Sequence, residues 1–423
     1  MDERTRTDTR TPRRSLTGIV LVGLLLVFVS ASALAAVPTT VRVSVSTSGS
    51  QVDRATTLAV PGISDDGRYI LMSSTGSRLV SGDTNRVSDA FLRDTTANRT
   101  LRVSVSSSGR QANGASTADA LSPDGRFVVL ASKATNLSVA ADTNRVDDIF
   151  VRDRTLGITR RVSIQPSGGQ FRGPSRDGSI SANGRYVLFT ELPPRHALRA
   201  YLRDRIEGTT TRIGRGAPKG WGVRADGMSA NGRMLAYIVS DENDDCGVVI
   251  HDRATGKTVD TSTLSATGTL GTCCDGPVAF TPNGARAVFS CLSSNDATEV
   301  VVLWSRGGSF TQLTATNDDS VATAITDDGS EVSFVSFDPL VAGDTNGKGD
   351  LFSLSLNSHT VSRLDLTSSG GQIPAGVADD PFASSGGQLS GDGHWVDFVS
   401  AGGTVVPGDT NGAVDVFERG PVS

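Results

Sequence analysis

Four stretches of this chain carry the same seven-residue arrangement of hard oxygen donors: Asp83-Thr84-Asn85 with Asp89, Asp142-Thr143-Asn144 with Asp148, Asp344-Thr345-Asn346 with Asp350, and Asp409-Thr410-Asn411 with Asp415. Ca²⁺ takes roughly six to eight oxygens, and short loops supply them from alternate side chains and carbonyls. A D-x-N-x-x-x-D loop offers three side-chain oxygens, a carbonyl near its fifth position and space for water. Ca²⁺ is therefore the expected cofactor, with Asp83, Asn85, Asp89, Asp142, Asn144, Asp148, Asp344, Asn346, Asp350, Asp409, Asn411 and Asp415 as its ligands. The pattern is not an EF-hand. Asp94 and Asp153 stand at the twelfth position, but the residues before them read as a strand, which carries them away at about 3.3 Å per residue. The rival reading is a set of Asx-turns that need no ion; four fixed copies with a distal Asp ask for more than a turn.

The other chemistry-bearing residues are few. Cys246, Cys273, Cys274 and Cys291 lie in one stretch, and their even number outside the cytoplasm points to disulfides. Cys273 and Cys274 are adjacent, so one is expected to pair with Cys246 and the other with Cys291. Free thiols and a zinc site are the alternatives; no CxxC pair or nearby His supports zinc. His196, His251, His359 and His394 sit in unrelated contexts and read as structural. There is no G-x-S-x-G elbow, H-E-x-x-H or P-loop. Carboxylates are plentiful enough for a glycosidase pair, but nothing in the sequence selects two of them.

The elements that must position these residues form a repeat. A turn recurs as Ser64-Asp65-Asp66-Gly67, Ser122-Pro123-Asp124-Gly125, Ser181-Ala182-Asn183-Gly184, Ser229-Ala230-Asn231-Gly232, Thr281-Pro282-Asn283-Gly284, Thr326-Asp327-Asp328-Gly329 and Ser390-Gly391-Asp392-Gly393, at intervals of 45 to 64 residues. Asp-Gly and Asn-Gly favour tight hairpins because both residues tolerate positive φ. Each turn precedes a nearly continuous apolar run such as 127–131, the mark of a strand covered on both faces. A second strand follows, as in Ile149-Phe150-Val151-Arg152-Asp153, then a Thr-rich turn and an outer strand. With the strand before each turn, every unit has four.

The last unit runs out of chain before its outer strand. That strand stands at the front: residues 40–51 read TVRVSVSTSGSQ and residues 100–111 read TLRVSVSSSGRQ, identical at nine of twelve positions. Pairing the N-terminal strand into the last unit closes a ring and removes a sheet edge. The expected fold is an all-β, seven-bladed β-propeller of four-stranded blades over residues 38–420, with the last blade closed by the N-terminal strand.

The run Ser-Pro-Asp-Gly-Arg-Phe-Val-Val-Leu at 122–130, followed by Ile-Phe-Val-Arg-Asp and a Thr/Gly turn, resembles the WD40-like PD40 repeat of TolB-type β-propellers. The resemblance covers essentially residues 38–420 and implies protein binding or scaffolding rather than a shared reaction.

Numbered by their turns, the units bearing the DTN motif are 6, 7, 1 and 2, which closure makes contiguous. Blade-to-blade loops emerge on the same face, and four carry Ser-Gly-x-Gln, ending in Gln51, Gln111, Gln170 and Gln372. Half of one rim is thus standardised; the other half holds the cysteines and an acidic loop at 241–245. Residues 1–35 read as an export signal or membrane anchor: Arg4, Arg6, Arg10, Arg13 and Arg14 precede an apolar run from Gly18 to Val29 and Ala33-Leu34-Ala35. Cleavage there leaves 35 basic and 42 acidic residues, a charge of −7, with no basic run suited to nucleic acid. The expectation is an exported protein, secreted, periplasmic or envelope-associated, whose membrane contact is limited to that segment. Its expected role is non-catalytic binding or scaffolding of a protein or glycan ligand on one propeller face, with Ca²⁺-stabilised rim loops. An enzyme acting on an extracellular polysaccharide or glycan is the alternative. A deep axial pocket with facing acids would favour the enzyme.

Overall fold

The structure is a computed structural model, and it describes residues 37–140, 142–241, 246–261, 271, 273–294, 298–315, 319–377 and 386–422. The proposed export segment and most of the acidic loop at 241–245 lie outside these residues. The described chain forms seven four-stranded antiparallel sheets, each a meander, arranged as the blades of a β-propeller. Blade 1 is Thr56–Ile63, Tyr69–Ser74, Asp89–Asp94 and Arg99–Arg102, and blades 2 to 6 repeat that order. Blade 7 is Gly387–Leu389, Val396–Ser400 and Asp415–Gly420, completed by Thr39–Arg42, which pairs Thr39 with Gly420 and Arg42 with Phe417. The closing strand read from the sequence is thus in place.

The recurring turn does three jobs. In blade 1 the Ser64 hydroxyl donates to Asp66 (2.7 Å) and accepts from the Tyr69 amide (2.9 Å), while Asp66 accepts from the Arg68 amide. The same bonds recur around Ser122 and Ser390. Its glycine is left-handed, as at Gly125 (φ 69°), and it also lies flat against the preceding blade. A Cβ on Gly125 would stand 2.2 Å from the Tyr69 ring, so only glycine fits both constraints. Arginines lie over those rings too: Arg68 and Arg154 are 4.8 and 4.2 Å from the Tyr69 centroid.

The second and third strands are buried on both faces. Every residue of Phe127–Ser132 and of Asp89–Asp94 is buried, which explains the continuous apolar runs. The blades stack through these faces, as where Leu71 and Leu92 of blade 1 meet Leu121, Val128 and Leu130 of blade 2.

The cysteines form Cys246–Cys273 and Cys274–Cys291. The first ties the third strand of blade 4 to the start of blade 5; the second joins cross-strand partners within blade 5. Non-reducing peptide mapping should recover these two pairs, and reduction should destabilise the fold by roughly 3 kcal/mol per bond. Four free thiols would contradict both the pairing and an oxidising compartment.

Candidate functional site

Two groups of residues on one face carry the candidate chemistry: the four DTN loops at the rim and a funnel on the axis.

Each DTN loop is brought together as the spacing predicts, and each meets an arginine. In blade 1, Arg102 at the end of the outer strand lies 3.8 Å from Asp83 and 3.4 Å from Asp89. Arg161 stands likewise to Asp142 and Asp148, Arg363 to Asp344 and Asp350, and Arg42 to Asp409 and Asp415. The asparagine makes an Asx-turn: the Asn85 oxygen accepts from the Val87 amide, and its NH₂ donates to Asp89 and to the Ala112 carbonyl. The residue after it is left-handed, Arg86 (φ 59°) and Arg145 (φ 59°) in two loops and Gly347 and Gly412 in the others. Gln111, from the following blade-to-blade loop, donates to Asp83 (2.8 Å) and Asp89 (3.0 Å) and accepts from Thr84. Gln372 repeats this in blade 6, and Gln170 and Gln51 reach the loops of blades 2 and 7. Ser104, Ser163 and Ser44 donate to the other oxygen of the distal Asp. Blade 6 places the buried Asp365 at that position; burial, then Asp350, pushes its carboxyl well above the usual range.

In this arrangement the donor set does not fit Ca²⁺. The amide oxygen is spent on the turn, the NH₂ faces the distal carboxylate, and a guanidinium supplies the positive charge. A Ca²⁺ ion would have to displace it. Wild-type protein is expected to give no calorimetric heat and no thermal shift in millimolar Ca²⁺. Arg102→Ala leaves Asp83 and Asp89 uncompensated and should gain a Ca²⁺-dependent rise in melting temperature. Heat in the wild type, lost stepwise in alanine variants of Asp83, Asp142, Asp344 and Asp409, would instead establish ligation.

The axial funnel was not legible as a site. First strands of blades 1 to 6 shift register against their second strands, each shift marking a bulge or irregularity. A bulge re-aims side chains, and these aim Asp119, Asp177 and Asp226 toward the axis. With Asp147, Asp275, Glu299, Arg176 and Arg224 they line a cavity of about 720 Å³. Several of these acids are committed. Asp119 of blade 2 accepts from the Gly178 amide of blade 3 (3.0 Å), and Asp226 of blade 4 from the Val278 amide of blade 5 (2.6 Å). Asp147 pairs with Arg176 at 3.2 Å, and Asp275 with Arg224. Burial holds the carboxyls of Asp119, Asp226 and Glu299 up at about 7. The repeated Asp or Asp-Gly three to six residues before the turn, at 119, 177–178, 226–227 and 275–276, was the available signal. None of the four histidines lines this funnel.

No family model matches the chain, and no curated protein does. Solved structures do. An oligogalacturonate lyase in complex with manganese shares 12% identity over 90% of this chain and 93% of its own, with a TM-score of 0.56. The oligogalacturonate lyase of Vibrio parahaemolyticus shares 10% over 91% and 97%, with a TM-score of 0.55. TolB of Acinetobacter baumannii shares 14% over 85% and 81% and superposes less closely, with a TM-score of 0.42. At these identities, what the chain shares with the lyases is its fold, the seven-bladed β-propeller.

Proposed function

We propose that this protein is a non-catalytic, extracytoplasmic binding propeller that holds a protein or glycan ligand over the axial funnel. The carrying observation is how the funnel's acids are used. Two accept blade-to-blade hydrogen bonds and two are paired with arginine, which leaves Asp177 and Glu299, among the described residues, as the groups open to a ligand. Six carboxylates against two guanidiniums keep the lining acidic even with Asp119, Asp226 and Glu299 partly protonated near pH 7, so a cationic or hydroxyl-rich group complements it. Two disulfides support an oxidising compartment, in keeping with residues 1–35 as an export signal.

The enzymatic reading has one observation in its favour: Asp119, Asp226 and Glu299 share one cavity with carboxyls near 7, and such a carboxyl suits general acid work. The manganese of the lyase bears on this only through chemistry. Carboxylates suit Mn²⁺, but among the described residues no three His, Cys, Asp or Glu are grouped to hold a metal ion.

Calorimetry against amino-sugar oligosaccharides and a lysine-rich peptide tests the proposal. A funnel ligand should weaken by about tenfold in Asp177→Asn and Glu299→Gln, the loss of one charge-assisted contact. If wild type instead releases reducing ends from a polysaccharide and Glu299→Gln abolishes that release, the enzymatic reading replaces this one.

A further inference from the structure

Blade 3 inverts the charge of the rim. Where Asp89, Asp148, Asp350 and Asp415 open the third strands of the DTN blades, blade 3 has Arg199. Where Arg102 stands opposite Phe91 on the outer strand, blade 3 keeps Arg212 opposite Tyr201. In the four DTN blades these two positions form an ion pair at 3.2 to 3.6 Å; in blade 3 they hold like charges. Arg199 turns toward Glu191 at 3.8 Å. The buried Glu191 also feels the charges of Arg212 and His196, but Arg212 makes no ion pair within 4 Å among the described residues, and its Nε is buried with no hydrogen-bond partner.

The glutamine loop is replaced as well. Residues 214–221 read Gly-Arg-Gly-Ala-Pro-Lys-Gly-Trp. They bring Arg215, Lys219 and Trp221 around a cavity of about 330 Å³ that His196, Arg199 and Arg212 also line. Four permanent cations face it, and no carboxylate is among its lining residues. Trp221 packs partly against the core between blades 3 and 4, which fixes the indole beside the guanidiniums.

We propose that this cavity binds an acidic glycan through a uronate residue, whose carboxylate takes the place that the distal aspartate holds in the other four blades. The same scaffold already shows a carboxylate seated against the outer-strand arginine four times over. A guanidinium receives a carboxylate through two parallel N–H donors, and the indole offers a flat apolar face to the pyranose C–H groups beside it. The site is separate from the funnel and does not depend on what the funnel binds.

The full chain is titrated calorimetrically at low salt with a β-linked glucuronate trisaccharide and with the glucose trisaccharide of the same linkage. The uronate should bind and the neutral sugar should not. Arg212→Gln and Arg199→Asp should each weaken uronate binding by about tenfold or more. Arg199→Asp sets a carboxylate beside Arg212 but strands the buried Glu191, so the double variant Arg199→Asp with Glu191→Gln, whose melting temperature should hold, separates lost binding from lost folding. Asp177→Asn in the funnel should leave uronate binding intact. Equal binding of the neutral sugar, or unchanged binding in Arg199→Asp, overturns the proposal. So does tighter binding of a glutamate-rich peptide at the same residues, which would make the ligand a protein.

Discussion

Deleting residues 38–46 should cost the propeller about 5 kcal/mol or more and open it to aggregation. The segment supplies the outer strand of blade 7, paired with Asp415–Gly420, and much else. Arg42 neutralises Asp409 and Asp415, Ser44 donates to Asp415, and Arg419 donates to Thr40 at 3.0 Å. Val43 is buried with Ile70, Phe91 and Val416 in the seam between blades 7 and 1. Each apolar side chain of that kind contributes roughly 1.5–3 kcal/mol, and an unpaired carboxylate pair adds to the loss. The third strand of blade 7 would become an open sheet edge, a template for association. Urea unfolding with light scattering checks this; a truncated chain that unfolds like the full one would show that the N-terminal strand does not close the ring.

The second large effect lies in the same seam. Asp397 and Glu418 are opposite each other in blade 7, 0% and 4% exposed. The equivalent pair is apolar in blades 1 to 5, as in Leu71–Leu92 and Leu188–Leu202, and is the uncharged Ser333–Ser353 in blade 6. Asp397 receives Gln388 at 3.4 Å, but Asp397 Oδ1 and Glu418 Oε1 have no partner. Burial pushes the Glu418 carboxyl up to about 8, opposed by the nearby Arg93, and pushes Asp397 well above the carboxylate range. Groups with raised folded values hold their protons more tightly when folded. Their contribution is complete below about pH 4, the unfolded value, and is lost as pH rises through about 8. Asp65, Asp119, Asp226 and Glu299, at about 7, act in the same direction. The protein should therefore melt higher at pH 5 than at pH 8. Asp397→Leu with Glu418→Leu should raise stability at pH 8 by about 1–4 kcal/mol and flatten the slope between pH 5 and 8. The acidic limit is set by Asp94, Asp153, Asp204 and Asp252, which arginine pairing or backbone hydrogen bonds hold low despite burial. A double variant with lower stability at pH 8, measured by chemical denaturation, would mean that the pair is satisfied by a buried partner.

The architecture was legible because the serine, acid and glycine of the turn are each required by a separate contact and so recur in register. Cysteine pairing was legible because adjacency leaves few arrangements. Arg42, Arg102, Arg161 and Arg363 were visible two residues before the Ser or Asp that supports the distal aspartate, yet a search for metal oxygens looks past cations. The partner of the DTN loops was therefore missed, although its spacing is as fixed as theirs. The funnel acids were hidden for another reason. A bulge changes which way one residue points, and strand alternation predicts the opposite face. Blade 3 is the clearest lesson: repeats advertise what is constant, while Arg199 matters because it departs from them.

Ring closure also sets a clock. Thr39 is among the first residues of the ring to be made and Gly420 among the last, so synthesis at about 5–20 residues per second separates the two partners by tens of seconds. Six blades can assemble from neighbouring hairpins during that interval, while the N-terminal strand waits without a sheet. Contacts this distant in sequence form late and slowly. The final step joins the first-made strand to the last-made one, so a chain stalled or cut anywhere before residue 415 is left with its leading strand unpaired.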